Sequence, residues 1–321
     1  VPDRVAAPAQ GGAEVVDNGG ASRFAASATH LYWSNRPYVG PRLDVALGAA
    51  GAPPAPDGSA APDQVDTLKR LPLGGGRVAL LAEGSMDHAT LFADDQGVYQ
   101  YSATLGGIVL RPNADPRSQV LLALTSPPTG FTTSYSTNMM YWLADGKLWF
   151  GGRDAFNDPP RADMANSGAN AHDLIYAGNG YLYWFGDGML FRVYGWCLFG
   201  GSACVRDVVA VEDGAGLTWL PVAGSQLGTA IDLHWIGGGV IRGYRCNSRT
   251  IPVVCGATTV QNPQAGASIL SIGGLTGSEN RLFWFEFDGR GPVELRRQTF
   301  VGPFGVSGAD TLCTGCTDSP G

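Results

Sequence analysis

Lysine is nearly missing from this sequence. Lys69 and Lys147 are its only two, and charged residues of all kinds make up 15% of the 321 positions, with a net charge of −7. Soluble domains usually carry about 25%. No basic run exists to displace counterions from a phosphate backbone, which argues against nucleic acid as a partner and equally against anionic membrane surfaces. Long apolar runs are missing too. The stretch 250–278 has no charge, but Pro252, Gln261, Asn262, Pro263 and several glycines break it, so membrane insertion is not expected. The G-x-S-x-G elbow, the P-loop and the H-E-x-x-H zinc motif are absent as well. The sequence begins at Val1 without an apolar leader, as a processed, exported chain would.

What is present is glycine, 47 residues, with 21 prolines and a hydrophobic content of 44%. That mixture supplies a core and many tight turns, and it suits short strands far better than long helices. Six cysteines fall into three close pairs: Cys197 with Cys204, Cys246 with Cys255, and Cys313 with Cys316. An even number in local pairs predicts disulfides and an oxidising compartment. Zinc would need four converging ligands, and only the last pair has C-x-x-C spacing, with no histidine near it.

An internal repeat organises the chain. Leu31-Tyr32-Trp33, Met140-Tyr141-Trp142, Leu182-Tyr183-Trp184, Leu233-His234-Trp235 and Leu282-Phe283-Trp284 are copies of one pattern, and Val98-Tyr99-Gln100 is a weaker sixth. Their second residues stand at 32, 99, 141, 183, 234 and 283, so two intervals are 42 residues. The longest interval contains a Pro/Ala/Gly-rich insertion at about 49–66, and the two late ones each contain a cysteine pair. A small-residue strand precedes each aromatic strand. A third strand carrying arginine follows it, at Arg70, Arg111, Arg192, Arg242 and Arg296, and aliphatic fourth segments stand at 78–81 and 120–122. Four short strands per repeat of roughly 42 residues is the pattern of a propeller blade.

The expected architecture is therefore an all-β, six-bladed β-propeller of four-stranded blades, a single domain over 1–321. The aromatic pairs are read as core wedges between blades. Residues 5–19 echo the outer part of a blade and are expected to close the last one. The segment 305–313 resembles an inner strand, which makes a seventh blade the alternative. A Cys-containing tail is expected at about 301–321.

The Tyr-Trp second strand followed by an arginine-bearing third strand resembles the YWTD-type propellers and their secreted bacterial relatives. That resemblance implies the fold, a recognition role, and cysteine pairs near third and fourth strands, where Cys246 and Cys255 stand. The Thr and Asp that follow Trp in that pattern are replaced by Ser34-Asn35, Leu143-Ala144 and Phe185-Gly186, so the Asp-based network between blades is not carried over.

Chemistry-bearing residues are few. His88 and His172 head equivalent segments, His88-Ala-Thr-Leu-Phe-Ala and His172-Asp-Leu-Ile-Tyr-Ala, which places both at the start of inner strands near one channel mouth. Two imidazoles there are weak candidates for a metal site or an acid–base pair; a repeated structural position is the preferred account. The run Asp213 to Trp219 looks like the peripheral Asp-box turn of sialidase-type propellers, without its leading serine. Asp94, Asp95 and Asp145 read as turn residues, and the third-strand arginines as side chains snorkelling at blade edges. No catalytic residue and no cofactor is assigned. The reading is a secreted, extracellular or cell-surface binding or scaffold module for a protein or glycan. A metal-dependent hydrolase or lyase at the channel mouth, and a self-assembling surface-layer or filament subunit, are the alternatives.

Overall fold

The computed structural model describes residues 21–27, 29–35, 67–72, 79–83, 91–94, 96–113, 119–134, 138–152, 161–199, 204–222, 230–247, 254–258, 267–275, 280–287, 294–301, 305–306 and 310–314. Residues 5–19, the insertion at 49–66, His88, Asp95 and Cys316 lie outside them.

The described strands form six antiparallel sheets of consecutive strands. The first holds β1 (Ala21–Ala26), β2 (His30–Asn35), β3 (Thr67–Pro72) and β4 (Ala79–Glu83). The second holds β5 (Leu91–Asp94), β6 (Gly97–Ser102), β7 (Gly107–Pro112) and β8 (Gln119–Ala123), and the third β9 (Gly130–Ser134), β10 (Met139–Ala144), β11 (Lys147–Gly152) and β12 (Arg161–Asn166). The fourth holds β13 (His172–Tyr176), β14 (Tyr181–Gly186), β15 (Met189–Tyr194) and β16 (Asp207–Ala210). The fifth holds β17 (Ala215–Pro221), β18 (Ala230–Gly237), β19 (Val240–Asn247) and β20 (Val254–Thr258). The sixth holds β21 (Ser268–Leu275), β22 (Asn280–Phe287), β23 (Glu294–Val301), β24 (Gly305–Val306) and β25 (Asp310–Thr314). The first strands touch one another in order, β1 to β5, β9, β13, β17 and β21, and β21 touches β1 again. They are therefore the innermost strands.

Turn chemistry fixes the central hairpins. Asp145-Gly146, Asp187-Gly188 and Gly238-Gly239 all have positive φ at both positions. Such two-residue loops match the right-handed twist of the strands they join. They set the register that pairs Trp142 with Trp149, Trp184 with Phe191, and Trp235 with Arg242.

Strand alternation explains why the repeat needs two adjacent rings. Tyr183 packs with Leu217, Ile231 and Trp235 of the fifth sheet, whereas Trp184 packs with Tyr141, Leu148 and Phe150 of the third. Tyr141 likewise faces the fourth sheet, and Trp142 faces Tyr99 and Ile108 of the second. Tyr32 packs with Ala93 and Val98 of the second sheet, and Trp284 with Leu220 and Ile241 of the fifth. Successive side chains leave a strand on opposite faces, so the first ring fills the wedge ahead and the second the wedge behind. Tyr32, Trp33, Tyr99, Tyr141, Trp142, Tyr183, Trp184, Trp235, Phe283 and Trp284 are all buried. Two of their polar atoms reach across to a neighbouring unit. Trp184 Nε1 donates to Ser167 O at 2.8 Å, before β13, and the Tyr32 hydroxyl donates to Asn113 Oδ1, after β7.

Three expectations need correction. Gly305 to Cys313 does not open another sheet. Because β23 is eight residues long, it pairs β24 at Phe300 and Val301 and β25 at Glu294 to Arg297. Asp213 to Trp219 is no peripheral turn. It leads into the innermost strand β17, where a Cβ on Gly214 would stand 2.3 Å from Trp235 Cδ1, so the glycine serves close packing. The third-strand arginines do not all snorkel. Arg192 and Arg296 are buried, on Asp207 at 3.3 Å and Glu286 at 3.4 Å, while Arg242 is exposed.

Candidate functional site

The outer part of the fourth sheet is built unlike the rest. β15 runs out of the core and ends at Tyr194, beyond which the 3-10 helix Gly195–Phe199 turns the chain. Its Cys197 is bonded to Cys204, and Cys197, Leu198 and Cys204 pack against the cluster around Trp184. Anchoring those three inward leaves the alternate ring outward. Trp196 is 59% exposed, Tyr194 46%, and Val205, Val208 and Val211 are 74%, 51% and 80% exposed. Eight large hydrophobic residues are exposed among the described residues, and five of them fall in this run of 18. Scattered exposed apolar residues are ordinary, but a concentration of them marks an interaction surface.

A layer of aromatic and ionic contacts stiffens the surface from beneath. The Tyr181 and Tyr194 rings lie 5.1 Å apart, and the Arg192 guanidinium sits 5.4 Å from the Tyr181 centroid. Burial raises the Tyr181 phenol above its ordinary pKa, against the pull of Arg192. Arg206 lies 4.1 Å over the Phe191 ring and pairs with Asp187 at 3.6 Å. Behind them, burial pushes the Tyr183 phenol up to about 12. The Tyr181 and Tyr183 phenols stay neutral, and the surface offers apolar faces edged by carboxylates and guanidinium groups.

A second cluster sits at the inner strands. His172 begins β13, with Nδ1 3.1 Å from Asp173 Oδ2 and Nε2 3.4 Å from Asp213 Oδ1. Asp173 is buried in the left-handed region (φ 56°) and also accepts the Gly216 amide at 3.0 Å. A register shift between His172 and Ile175 aims these side chains toward the fifth sheet. Both imidazole nitrogens are thus engaged by carboxylates, which joins β13 to β17. His88, the other candidate, lies outside the described residues. Among the described residues no group of three or more His, Cys, Asp or Glu side chains could hold a metal ion. His30 bonds Thr29 Oγ1 at 2.9 Å, and His234 is fully buried on β18.

The fifth sheet carries the other disulfide, Cys246 to Cys255, between directly paired positions of β19 and β20. Cys313 and Cys316 form no described bridge, since Cys316 is not among the described residues. The sequence repeat points to the cysteines here but not to Tyr194 or Trp196. The usable signal was the run Val193-Tyr194-Gly195-Trp196-Cys197, where alternation combined with an inward cysteine puts the tryptophan outside.

No family model matches the sequence, and no curated protein matches it. Among solved structures, a streptogramin B lyase is similar with a TM-score of 0.52 at 10% identity, over 93% of this chain and 84% of that one. A virginiamycin B lyase from Staphylococcus aureus gives 0.49 at 9%, over 90% and 83%. A chain of a nidogen/laminin complex gives 0.49 at 14%, over 71% and 85%. No helix among the described residues is long and apolar enough to cross a membrane. Likeness to the streptogramin B lyase at that identity speaks of architecture alone, and with the strand order it fixes one conclusion: the chain is all-β, built of four-stranded blades in a β-propeller fold.

Proposed function

We propose that this chain is an extracellular recognition module, one domain whose six blades close through the contact of β1 with β21. It presents the stapled rim of its fourth blade to a protein or glycan. The observation that carries this reading is the concentration of exposed rings and valines between Tyr194 and Val211 on a segment pinned by a disulfide. Rigid aromatic anchors held in place before binding lose little entropy on contact, and Trp and Tyr dominate interface energetics. Two formed disulfides support an oxidising location. The outer strands of the first four sheets carry register shifts in their pairing. Such bulges blunt edges, which favours recognition over growth into a filament.

The test is a binding screen of the immobilised chain against extracellular proteins and envelope polysaccharides, repeated with Trp196→Ala and Tyr194→Ala. A bound ligand should lose affinity by about thirtyfold when Trp196 is truncated. A ligand held equally by both variants would move the site elsewhere, and an empty screen with the wild-type chain would overturn the reading.

A further inference from the structure

Arg192 makes a contact that the recognition surface does not need. It leaves β15 of the fourth sheet, pairs with Asp207, and donates from Nη1 to the Sγ of Cys255 in the fifth sheet at 3.4 Å. Its side chain is almost wholly buried. The sulfur it touches belongs to the bridge between paired positions of β19 and the outermost strand β20. The two halves of that bridge differ in access. Cys246 is fully buried, whereas Cys255 is half-buried and followed by the exposed Gly256, where an added Cβ would meet nothing within 4 Å. The bridge at Cys197 and Cys204 has no such cation on its sulfurs among the described contacts.

We propose that Cys246–Cys255 is a thiol-exchange site, opened by a dithiol reductant and tuned by Arg192. A thiolate of the reductant attacks Cys255 Sγ, the sulfur of the less buried cysteine. The bond between the two cysteine sulfurs breaks, and Cys246 leaves with the electron pair and takes a proton from solvent. The second thiolate of the reductant then attacks its own bonded sulfur and closes an intramolecular disulfide, so that Cys255 leaves as a thiolate. The reductant loses two electrons and the protein bridge gains them. A guanidinium on Cys255 Sγ polarises the sulfur under attack and then stabilises the released thiolate, as electropositive surroundings do for reactive cysteines. Arg192 is a positioning and tuning residue here. Opening the bridge releases β20 from its covalent tie to β19 and changes the contact that joins the fourth sheet to the fifth. This proposal stands independently of the recognition reading.

The experiment equilibrates the folded chain with graded ratios of reduced to oxidised dithiothreitol, alkylates it, and counts reduced cysteines at each pair by mass spectrometry. Cys246–Cys255 should open at a ratio about fivefold lower in the wild-type chain than in Arg192→Gln, with Arg192→Lys recovering part of the difference. Cys197–Cys204 serves as the internal reference and should be reduced alike in all three. Equal reduction of Cys246–Cys255 in wild type and Arg192→Gln overturns the proposal, as does a parallel shift of both bridges. Should the glutamine variant not fold, glutathione on the wild-type chain decides. A mixed disulfide confined to Cys255 supports the site, and one on Cys197 or Cys204, or none, sinks it.

Discussion

Trp184 stands on β14 and Trp196 on the 3-10 helix that follows β15, twelve positions apart, yet Trp184 is fully buried while Trp196 is 59% exposed. The first stands on a central strand with a sheet before it and another behind it, so both faces of that strand are filled. The second stands on a turn whose neighbours Cys197 and Leu198 have taken the inward places. Residue type therefore does not decide the role of an aromatic in this molecule. Position relative to the wedge does, and a local covalent constraint can turn a ring outward that hydrophobicity alone would bury.

The comparison breaks first under truncation. Trp184→Ala removes an indole packed against Tyr141, Leu148 and Phe150 and leaves Ser167 O without its donor. A loss of about 3–5 kcal/mol is expected from the cavity alone. Trp196→Ala should stay within about 0.5 kcal/mol of the wild type, as exposed substitutions do. Urea denaturation followed by circular dichroism measures both. Similar losses for the two would show that the rim ring is part of the core.

The wedge region should also be the acid-sensitive one. His234 occupies the ring position of its repeat on β18, and burial, against the opposing influence of Asp232, pushes its imidazole down to about 4. In the unfolded chain the same group titrates near 6.5. Between these values the unfolded state holds a proton that the folded state does not, so stability falls as pH drops from about 7 toward 4 and is fully present above the unfolded value. The loss attributable to this residue is on the order of 3 kcal/mol. His234→Phe should flatten that part of the pH profile, in chemical denaturation at pH 4.5 and pH 7. An unchanged slope would mean that His234 takes up its proton at the same pH in the folded and unfolded chain.

Much of this was legible in the sequence, because the repeat depends on short-range features. The aromatic pairs, the Asp145-Gly146 turn and the arginines at third strands all follow from strand alternation and turn chemistry within a few residues. The failures came where meaning depends on what packs from another sheet. Asp213 to Trp219 reads as a turn, but Gly214 makes room for Trp235 and Phe185 and Gly216 for Ile272, which no local pattern announces. Arg192 and Arg296 read as edge residues, yet each is buried against a carboxylate, Asp207 and Glu286 respectively. The placement of 305–314 was missed because β23 is long enough to pair two short strands in succession. His172 stands at the head of an inner strand as the repeat implies. Its partner Asp213 was invisible, because the two come from successive sheets.

The smallest effect tests whether the staple makes the rim what it is. Cys197 and Cys204 are seven positions apart, and closing so short a loop restrains the unfolded chain by about 2.5 kcal/mol on the loop-entropy estimate. Replacing both with alanine should therefore cost less than truncating Trp184, although both changes strike the same hydrophobic cluster. The distinguishing readout is local. Without the bridge, nothing covalent keeps Leu198 and position 197 inward, and the indole of Trp196 gains the freedom to turn toward the core. The fluorescence of the double variant should shift to the blue relative to the wild type, with Trp196→Phe in the same background removing the shifted component. A spectrum that stays unchanged while stability falls would mean that the turn Gly195–Phe199 orients the ring by itself, and that the bridge contributes only to stability.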